Sequence, residues 1–360
     1  MSAARGSRAA AVVMGAVVVA SVVVPGTALA GGGSHHGIET IASGLNSPRG
    51  LAFGPDGDLY VAEGGFGGAA PCFAGAEGPT CFGRSGSITK VSHGKQSRVL
   101  DGLPSTAHPD GANGTGPADV VVDGKSLVFT VGLGADPAIR ETLSAPDLGV
   151  LRKADKHGHL STLGDLAGYE ASANPDGVTP PDSNPTSVAL TPWGTEVVTD
   201  AGGNDLVEVG HGGKIRTVAV FPAVNNAQAV PTSVIRGRDG AFYVGQLTGF
   251  PFVPGAAKVF KVWPSGRGEP EVVADGFTNI IDIAQTWDGS LYVLEIAKNG
   301  LLAGDGQGAL IKVDRHGKKT TVLDTGLTMP GGLTIRGDDA YISNCGVCKG
   351  GGQVIRVPLH

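Results

Sequence analysis

Apolar and polar residues alternate in short runs along most of this chain. That period of two is the signature of half-buried β-strands, and the runs recur in a fixed order. A first run, led by a polar residue or proline, starts at Pro48, Pro117, Pro185, Pro231, Ile280 and Pro330 (PRGLAF, PADVVV, PTSVAL, PTSVIR, IIDIAQ, PGGLTI). A turn follows at Asp56-Gly57, Asp123-Gly124, Asp239-Gly240 and Asp288-Gly289, with degenerate copies at Trp193-Gly194 and Gly337-Asp338. Glycine in such a turn accepts the positive φ of a tight hairpin. After a second run comes a third, beginning at Gly86, Gly149, Asp205, Lys258, Leu310 and Gln353. A fourth begins at Ser97, Leu160, Arg216, Pro270 and Thr320.

The pattern thus predicts repeats of four antiparallel strands, whose starts lie 69, 68, 46, 49 and 50 residues apart. The last repeat stops after its third strand. A strand of fourth-strand character stands ahead of the first repeat: Gly37-Ile38-Glu39-Thr40-Ile41-Ala42-Ser43-Gly44-Leu45 matches Lys319 to Leu327. Six four-stranded sheets set around an axis, with that N-terminal strand completing the last sheet, account for both facts and leave no open edge. The expectation is an all-β, six-bladed β-propeller forming a single domain over residues 31–360. A pair of β-sandwiches is the alternative, and it gives the displaced strand no role.

Composition narrows the picture. The chain has 360 residues, 60 of them Gly, with 17% charged residues and a formal net charge of −6. That much glycine disfavours a helical bundle, and abundant Val, Ile, Leu and Ala disfavour disorder. An acidic balance is unlike that of a nucleic-acid binder. Arg5 and Arg8, an uncharged run from Ala9 to Val24, Pro25-Gly26 and Ala28-Leu29-Ala30 have the three parts of a secretory signal peptide over residues 1–30. The alternative is an uncleaved anchor, but the run is short of the ~20 apolar residues that a spanning helix needs. Cleavage removes two positive charges and takes the net charge from −6 to −8. A secreted, extracytoplasmic monomer with no nucleic-acid or membrane partner is expected.

The stretch Thr199 to Val209 (TDAGGNDLVEV) resembles the NHL-repeat and strictosidine-synthase-like propellers. More closely, the chain is similar to the ScyD/ScyE family of exported bacterial propellers. The residues that carry this are Gly44 to Gly57 (GLNSPRGLAFGPDG), Pro71-Cys72-Phe73, Cys81-Phe82-Gly83 and Ser343-Asn344-Cys345-Gly346-Val347-Cys348. The resemblance implies export and a propeller. It implies no reaction and transfers no catalytic residue.

All four cysteines lie in the mature part, Cys72 and Cys81 in a long insertion of the first repeat, Cys345 and Cys348 in the equivalent loop of the last. An even count in an exported chain suggests disulfides. Of three pairings the local one, Cys72–Cys81 with Cys345–Cys348, is favoured. Cross-blade bridges, a four-thiolate zinc site and a redox-active Cys345-x-x-Cys348 are weighed below it. His93, His157, His211 and His316 fall one per repeat in the turn after the third strand, too separated for chelation. Lys90, Lys153, Lys261, Lys312 and Arg356, interrupted by Glu208, recur on third strands and read as a solvated sheet face.

Candidate chemistry gathers where strands reach the central channel. The starts of the innermost strands give Gly50, Asp119, Ser187, Ser233, Asp282 and Gly332. The ends of the second strands give Glu63, Thr130, Asp200, Gln246, Glu295 and Asn344, all polar. A ring of oxygens suits Ca²⁺, and a bound ion would polarise an ester or lactone and activate water. Blades three to six supply the candidate set Asp200, Gln246, Glu295 and Asn344. Asp119 and Asp282, on opposite blades, meet only in a narrow channel. Against this, strand ends meet water, and polarity there is ordinary. Two functions follow. The first is a non-catalytic binding module for a small molecule, glycan or protein at the loop-rich face, shaped by Gly64–Ser85, Gly132–Leu148 and Ile296–Gly308. The second is a Ca²⁺-dependent esterase or lactonase at the channel.

Overall fold

The computed structural model describes residues 37–76, 78–266 and 268–359. The candidate signal peptide at 1–30 lies outside the described residues. The remainder forms six antiparallel sheets arranged as the blades of a propeller. The innermost strands are Pro48–Phe53, Pro117–Asp123, Pro185–Leu190, Pro231–Arg236, Ile280–Gln285 and Gly332–Arg336. They touch in sequence order around the axis, and the sixth touches the first. In blade six the strand Glu39–Leu45 pairs antiparallel with Gly352–Pro358, so the N-terminal strand closes the ring as expected. Ala42 and Leu45 on that strand are buried against Leu51, Leu59 and Val61 of blade one.

Apolar clusters lie between the blades, one at each of the six interfaces. The clusters centred on Phe129, Val207, Phe260, Ile283, Leu310 and Leu45 join blades one to two, two to three, three to four, four to five, five to six and six to one. A middle strand packs on both faces, which explains why Asp205–Val209 and Leu291–Glu295 are buried throughout.

The hairpins between first and second strands come in two lengths. In blades two and six the pairs Asp123↔Ser126 and Arg336↔Asp339 enclose two residues. In blade four, Arg236↔Phe242 encloses five. The difference corrects one alignment. Pro117 pairs with Val131, so Val131 and not Thr130 is the counterpart of Glu63, and the ring of second-strand ends is apolar in blade two. Counting from the turn glycine misses by one where the hairpin is shorter.

Two further differences bear on the site. Much of the Gly64–Ser85 insertion is sheet. Strand Cys72–Gly75 pairs with an extended third strand, Gly78–Ser92, and the Cys72–Cys81 disulfide joins the two. Cys345–Cys348 is the second disulfide, as the local pairing requires. The linker from blade two to three contains a helix, Leu166–Ala173, which the strand pattern did not predict. Asp165 caps it by accepting from Gly168 N–H (2.9 Å), and Asn174 ends it in a left-handed conformation.

The basic column on the third strands is paired more than solvated. Lys90 meets Asp58, Lys153 meets Asp123 (2.7 Å), Lys261 meets Asp239 (2.7 Å) and Arg356 meets Glu39 (3.0 Å). Such surface pairs contribute little individually.

Candidate functional site in the central channel

Each innermost strand is the edge of its own sheet. Its outward N–H and C=O groups face the neighbouring blade and must find partners there. Side chains at and beside the predicted columns supply them. Asp119 Oδ2 accepts from Val188 N–H of the next blade (2.9 Å) and from Ser187 Oγ (2.8 Å), and Oδ1 accepts from Val120 N–H (2.8 Å). Ser187 Oγ in turn accepts from Val234 N–H of blade four (3.2 Å). Asp282 Oδ2 accepts from Leu333 N–H of blade six (2.7 Å), and Oδ1 from Ile283 N–H (2.8 Å). Hydroxyls cap the carbonyls. Thr130 donates to Thr186 O (3.3 Å), Thr186 to Pro231 O (3.2 Å), Thr232 to Ile280 O (2.8 Å) and Ser343 to Arg49 O (2.6 Å).

The second-strand ends are also engaged within their own blades. Glu63 accepts from Asn46 N–H (2.7 Å), Ser87 Oγ (3.0 Å) and Thr89 Oγ1 (2.6 Å). Asp200 accepts from Ser183 Oγ (2.6 Å) and Asn184 N–H (2.6 Å), Glu295 from Thr278 N–H (2.6 Å), and Asn344 from Thr328 N–H (2.7 Å). Their common task is to hold the segment that leads into the innermost strand. Gln246 is the exception, buried with neither amide atom partnered. Of the candidate set, Asp200, Glu295 and Asn344 thus already accept backbone N–H groups, and Gln246 does not. Among the described residues no group of three or more His, Cys, Asp or Glu is placed to hold a metal.

Asp119 and Asp282 line one cavity. Gly50 brings blades one and two so close that a Cβ there would lie 2.0 Å from Asp119 Oδ1 and 2.9 Å from Asp119 Cα. Near it the Asp119 charge acts on Asp282. Removal from bulk water pushes Asp119 up to about 6, against the pull of its three donors. Desolvation first, and then the Asp119 charge, hold Asp282 well above the ordinary carboxylate range. Desolvation likewise raises Glu295 to about 7.

The pair forms the floor of a cavity of about 400 Å³ lined by all six innermost strands. Its walls mix aliphatic residues such as Val121, Val234 and Ile335 with Ser187, Thr334 and exposed backbone. Its mouth, among the short hairpins, is formed by Arg236, Arg238, Gln285, Thr286 and Trp287. The cavity thus opens at the end opposite the long loops. Trp287 is 79% exposed, and it also borders an open hollow of about 590 Å³ with Lys312, Arg315 and His316. The other tryptophans have local partners: Trp193 donates to Glu208 (2.8 Å), and Trp263 lies beneath Lys261, 4.5 Å from its ammonium. The repeat pattern did not single out Trp287, Arg236 or Arg238. Trp287-Asp288 in a turn that otherwise needs only small polar residues was the available signal.

No family model matches the chain, and no curated protein matches it. Solved structures do. A protein of unknown function from Bacteroides thetaiotaomicron VPI-5482 is 12% identical over 89% of this chain and 75% of its own, with a TM-score of 0.58. The gluconolactonase XC5397 from Xanthomonas campestris is 11% identical over 90% and 89%, with a TM-score of 0.55. Virginiamycin B lyase from Staphylococcus aureus is 14% identical over 90% and 99%, with a TM-score of 0.51. At these identities the likeness is one of fold.

Proposed function

We propose that this protein is an exported, non-catalytic binding propeller whose channel takes a small anionic molecule with a flat ring face, an acidic sugar being the class that fits best. Trp287 carries the reading. A large apolar side chain left 79% exposed at a cavity mouth is available for stacking. Arg236 and Arg238 stand beside it on the same rim and suit a carboxylate. At the floor, Asp119 and Asp282 hold their protons more tightly than ordinary acids, which lowers the like-charge cost of an anion above them. Two disulfides agree with an oxidising, extracytoplasmic location. On the same footing we assign the chain to the ScyD/ScyE-like exported propellers, from its Gly44–Gly57 opening and its Cys345–Cys348 close.

The lactonase reading has less support. The name of XC5397 suggests that chemistry, but three of the four side chains that would hold a channel metal here, Asp200, Glu295 and Asn344, already accept backbone N–H groups.

Oligogalacturonates and the matching neutral galactose oligomers, titrated by calorimetry, test the binding reading. Binding of the acidic series alone is expected, weakened about tenfold or more by Trp287→Ala and by Arg236→Gln with Arg238→Gln. Equal binding by Trp287→Ala, or no binding of the acidic series, would reject it.

A further inference from the structure

Every fully buried carboxylate oxygen without a hydrogen-bond donor among the described residues belongs to one region of the fold. These atoms are both oxygens of Asp205, Glu170 Oε1 and Asp182 Oδ1. Asp205 is 1% and Glu170 3% exposed. Other buried acids are supplied with donors: Glu63 and Glu295 in other blades, and Asp200 within this region. An orphaned buried carboxylate is costly and calls for a positive partner.

The fold places Asp205, Asp200 and Glu170 beside one turn. Asp205 opens the third strand of blade three and pairs in register with Asp200, so both side chains leave the same face of the sheet. The turn between them contains Gly202 and Gly203. A Cβ on Gly203 would lie 2.9 Å from Glu170 Oε2 and 3.5 Å from Asp200 Cγ, so carboxyls from a helix and a strand converge beside that turn. Asp176 and Asp182 come from the linker after the helix, and Asp176 is tied to the turn by Asn204 Nδ2 (2.7 Å). Asn174, one helical turn beyond Glu170, has a further buried, unpartnered oxygen, Oδ1. The charged groups acting on Asp205 are Asp200, Glu170 and Asp176, all carboxylates.

We propose that Asp205, Glu170, Asp182 and Asn174, beside the 201–204 turn, bind a Ca²⁺ ion. The donors are all oxygen, and Ca²⁺ accepts six to eight of them in flexible geometry, with water completing the shell, where Mg²⁺ demands a strict octahedron. The four side chains do not already stand as a formed centre. The ion draws Glu170, Asn174 and Asp182, all on the blade two-to-three connection, toward the strand residue Asp205. Burial and mutual repulsion raise Glu170 to about 7 and Asp182 to about 6, as expected of a pocket short of positive charge. None of these residues lines the channel, so the site stands apart from the binding function proposed above.

The test uses the chelator-treated full chain, titrated with CaCl₂ and separately with MgCl₂ by calorimetry and thermal unfolding. Saturable binding near one Ca²⁺ per chain is expected, with Tm rising as CaCl₂ rises and Mg²⁺ weaker. Asp205→Asn and Glu170→Gln should each weaken Ca²⁺ about tenfold or more, and Asp205→Asn should melt no lower than the parent without Ca²⁺. Asp282→Asn should bind Ca²⁺ as the parent does. Absence of heat and of a Tm shift in the parent overturns the site. So does parental affinity in both Asp205→Asn and Glu170→Gln, or a loss confined to Asp282→Asn, which would put the ion in the channel.

Discussion

Asp119→Asn separates a channel acid that is truly enclosed from one that meets water freely. Asp119 has an ordinary value of 3.8 unfolded and about 6 folded, because desolvation outweighs its donors Val188, Ser187 and Val120. A raised folded value means that the unfolded chain gives up its proton first. The stabilisation is therefore complete below about pH 4 and is lost as pH rises through 6. At 1.36 kcal/mol per pH unit the loss is about 3 kcal/mol, or roughly 6 °C in a chain of this length. The amide does not titrate. It keeps the shape of the acid but turns an NH₂ toward a backbone N–H, a penalty of about 1–3 kcal/mol that is the same at every pH. The observable is thus the difference in Tm between variant and parent, measured by calorimetry in matched buffers from pH 4 to 8. Other titrating groups cancel in that difference. It should climb by roughly 6 °C, and relief of Asp282 adds in the same direction. A flat or falling difference would show that Asp119 ionises as readily in the folded channel as in the unfolded chain, and the enclosed acid pair would be abandoned.

Three further outcomes follow from the fold. Deleting residues 37–45 strips blade six of its outer strand and uncovers the partners of Leu45, whose burial alone is worth about 2–3 kcal/mol; a Tm lower by several degrees and a tendency to self-associate on gel filtration are expected, and an unchanged Tm would contradict the closure. Replacing Cys72 and Cys81 by Ser opens a short loop, nine residues apart in sequence, and should cost about 3 kcal/mol or less in denaturant unfolding, while leaving the channel ligand bound as before. Gly50→Ala forces a methyl against the Asp119 carboxyl and backbone; a loss of about 1–3 kcal/mol with parental far-ultraviolet dichroism is expected, and a neutral result would mean that blades one and two are not in such close contact.

The fold was legible because strand periodicity, Asp-Gly turns and a displaced fourth strand are local signals, and each blade repeats them. Lys319–Leu323 announced Glu39–Leu45 by likeness alone, and the pairing with Gly352–Pro358 followed from counting strands. Hairpin length was not legible. Asp123-Gly124 and Asp56-Gly57 look alike, yet their turns enclose two and five residues, which moved Thr130 off the ring. The helix Leu166–Ala173 escaped because eight residues of mixed character carry no clear helical period. The acid site escaped for a related reason. Glu170, Asn174 and Asp182 come from a linker and Asp205 from a strand, and only the closed blade makes them neighbours. The Asp119–Asp282 pair was placed on opposite blades correctly, but the width of the bore depends on Gly50 packing against blade two, which no single repeat encodes.

Polarity near the axis of such a ring is a poor guide to chemistry, and the reason is physical. Six innermost strands present six unpaired edges, and a closed ring must cap them from within. Asp119, Ser187 and Asp282 do this for N–H groups, and Thr130, Thr186, Thr232 and Ser343 for carbonyls. A column of polar residues is thus what assembly alone would select. The informative groups are those the fold leaves over after its own hydrogen bonds are counted. By that criterion Glu63 and Asp200 belong to the scaffold, however suggestive their position. Trp287, exposed without a partner at the cavity mouth, and Asp205, buried without a donor beside Glu170, do not. Gln246, buried with neither amide atom partnered, is left over as well, and at each of these places a molecule or an ion from outside the chain has something to satisfy.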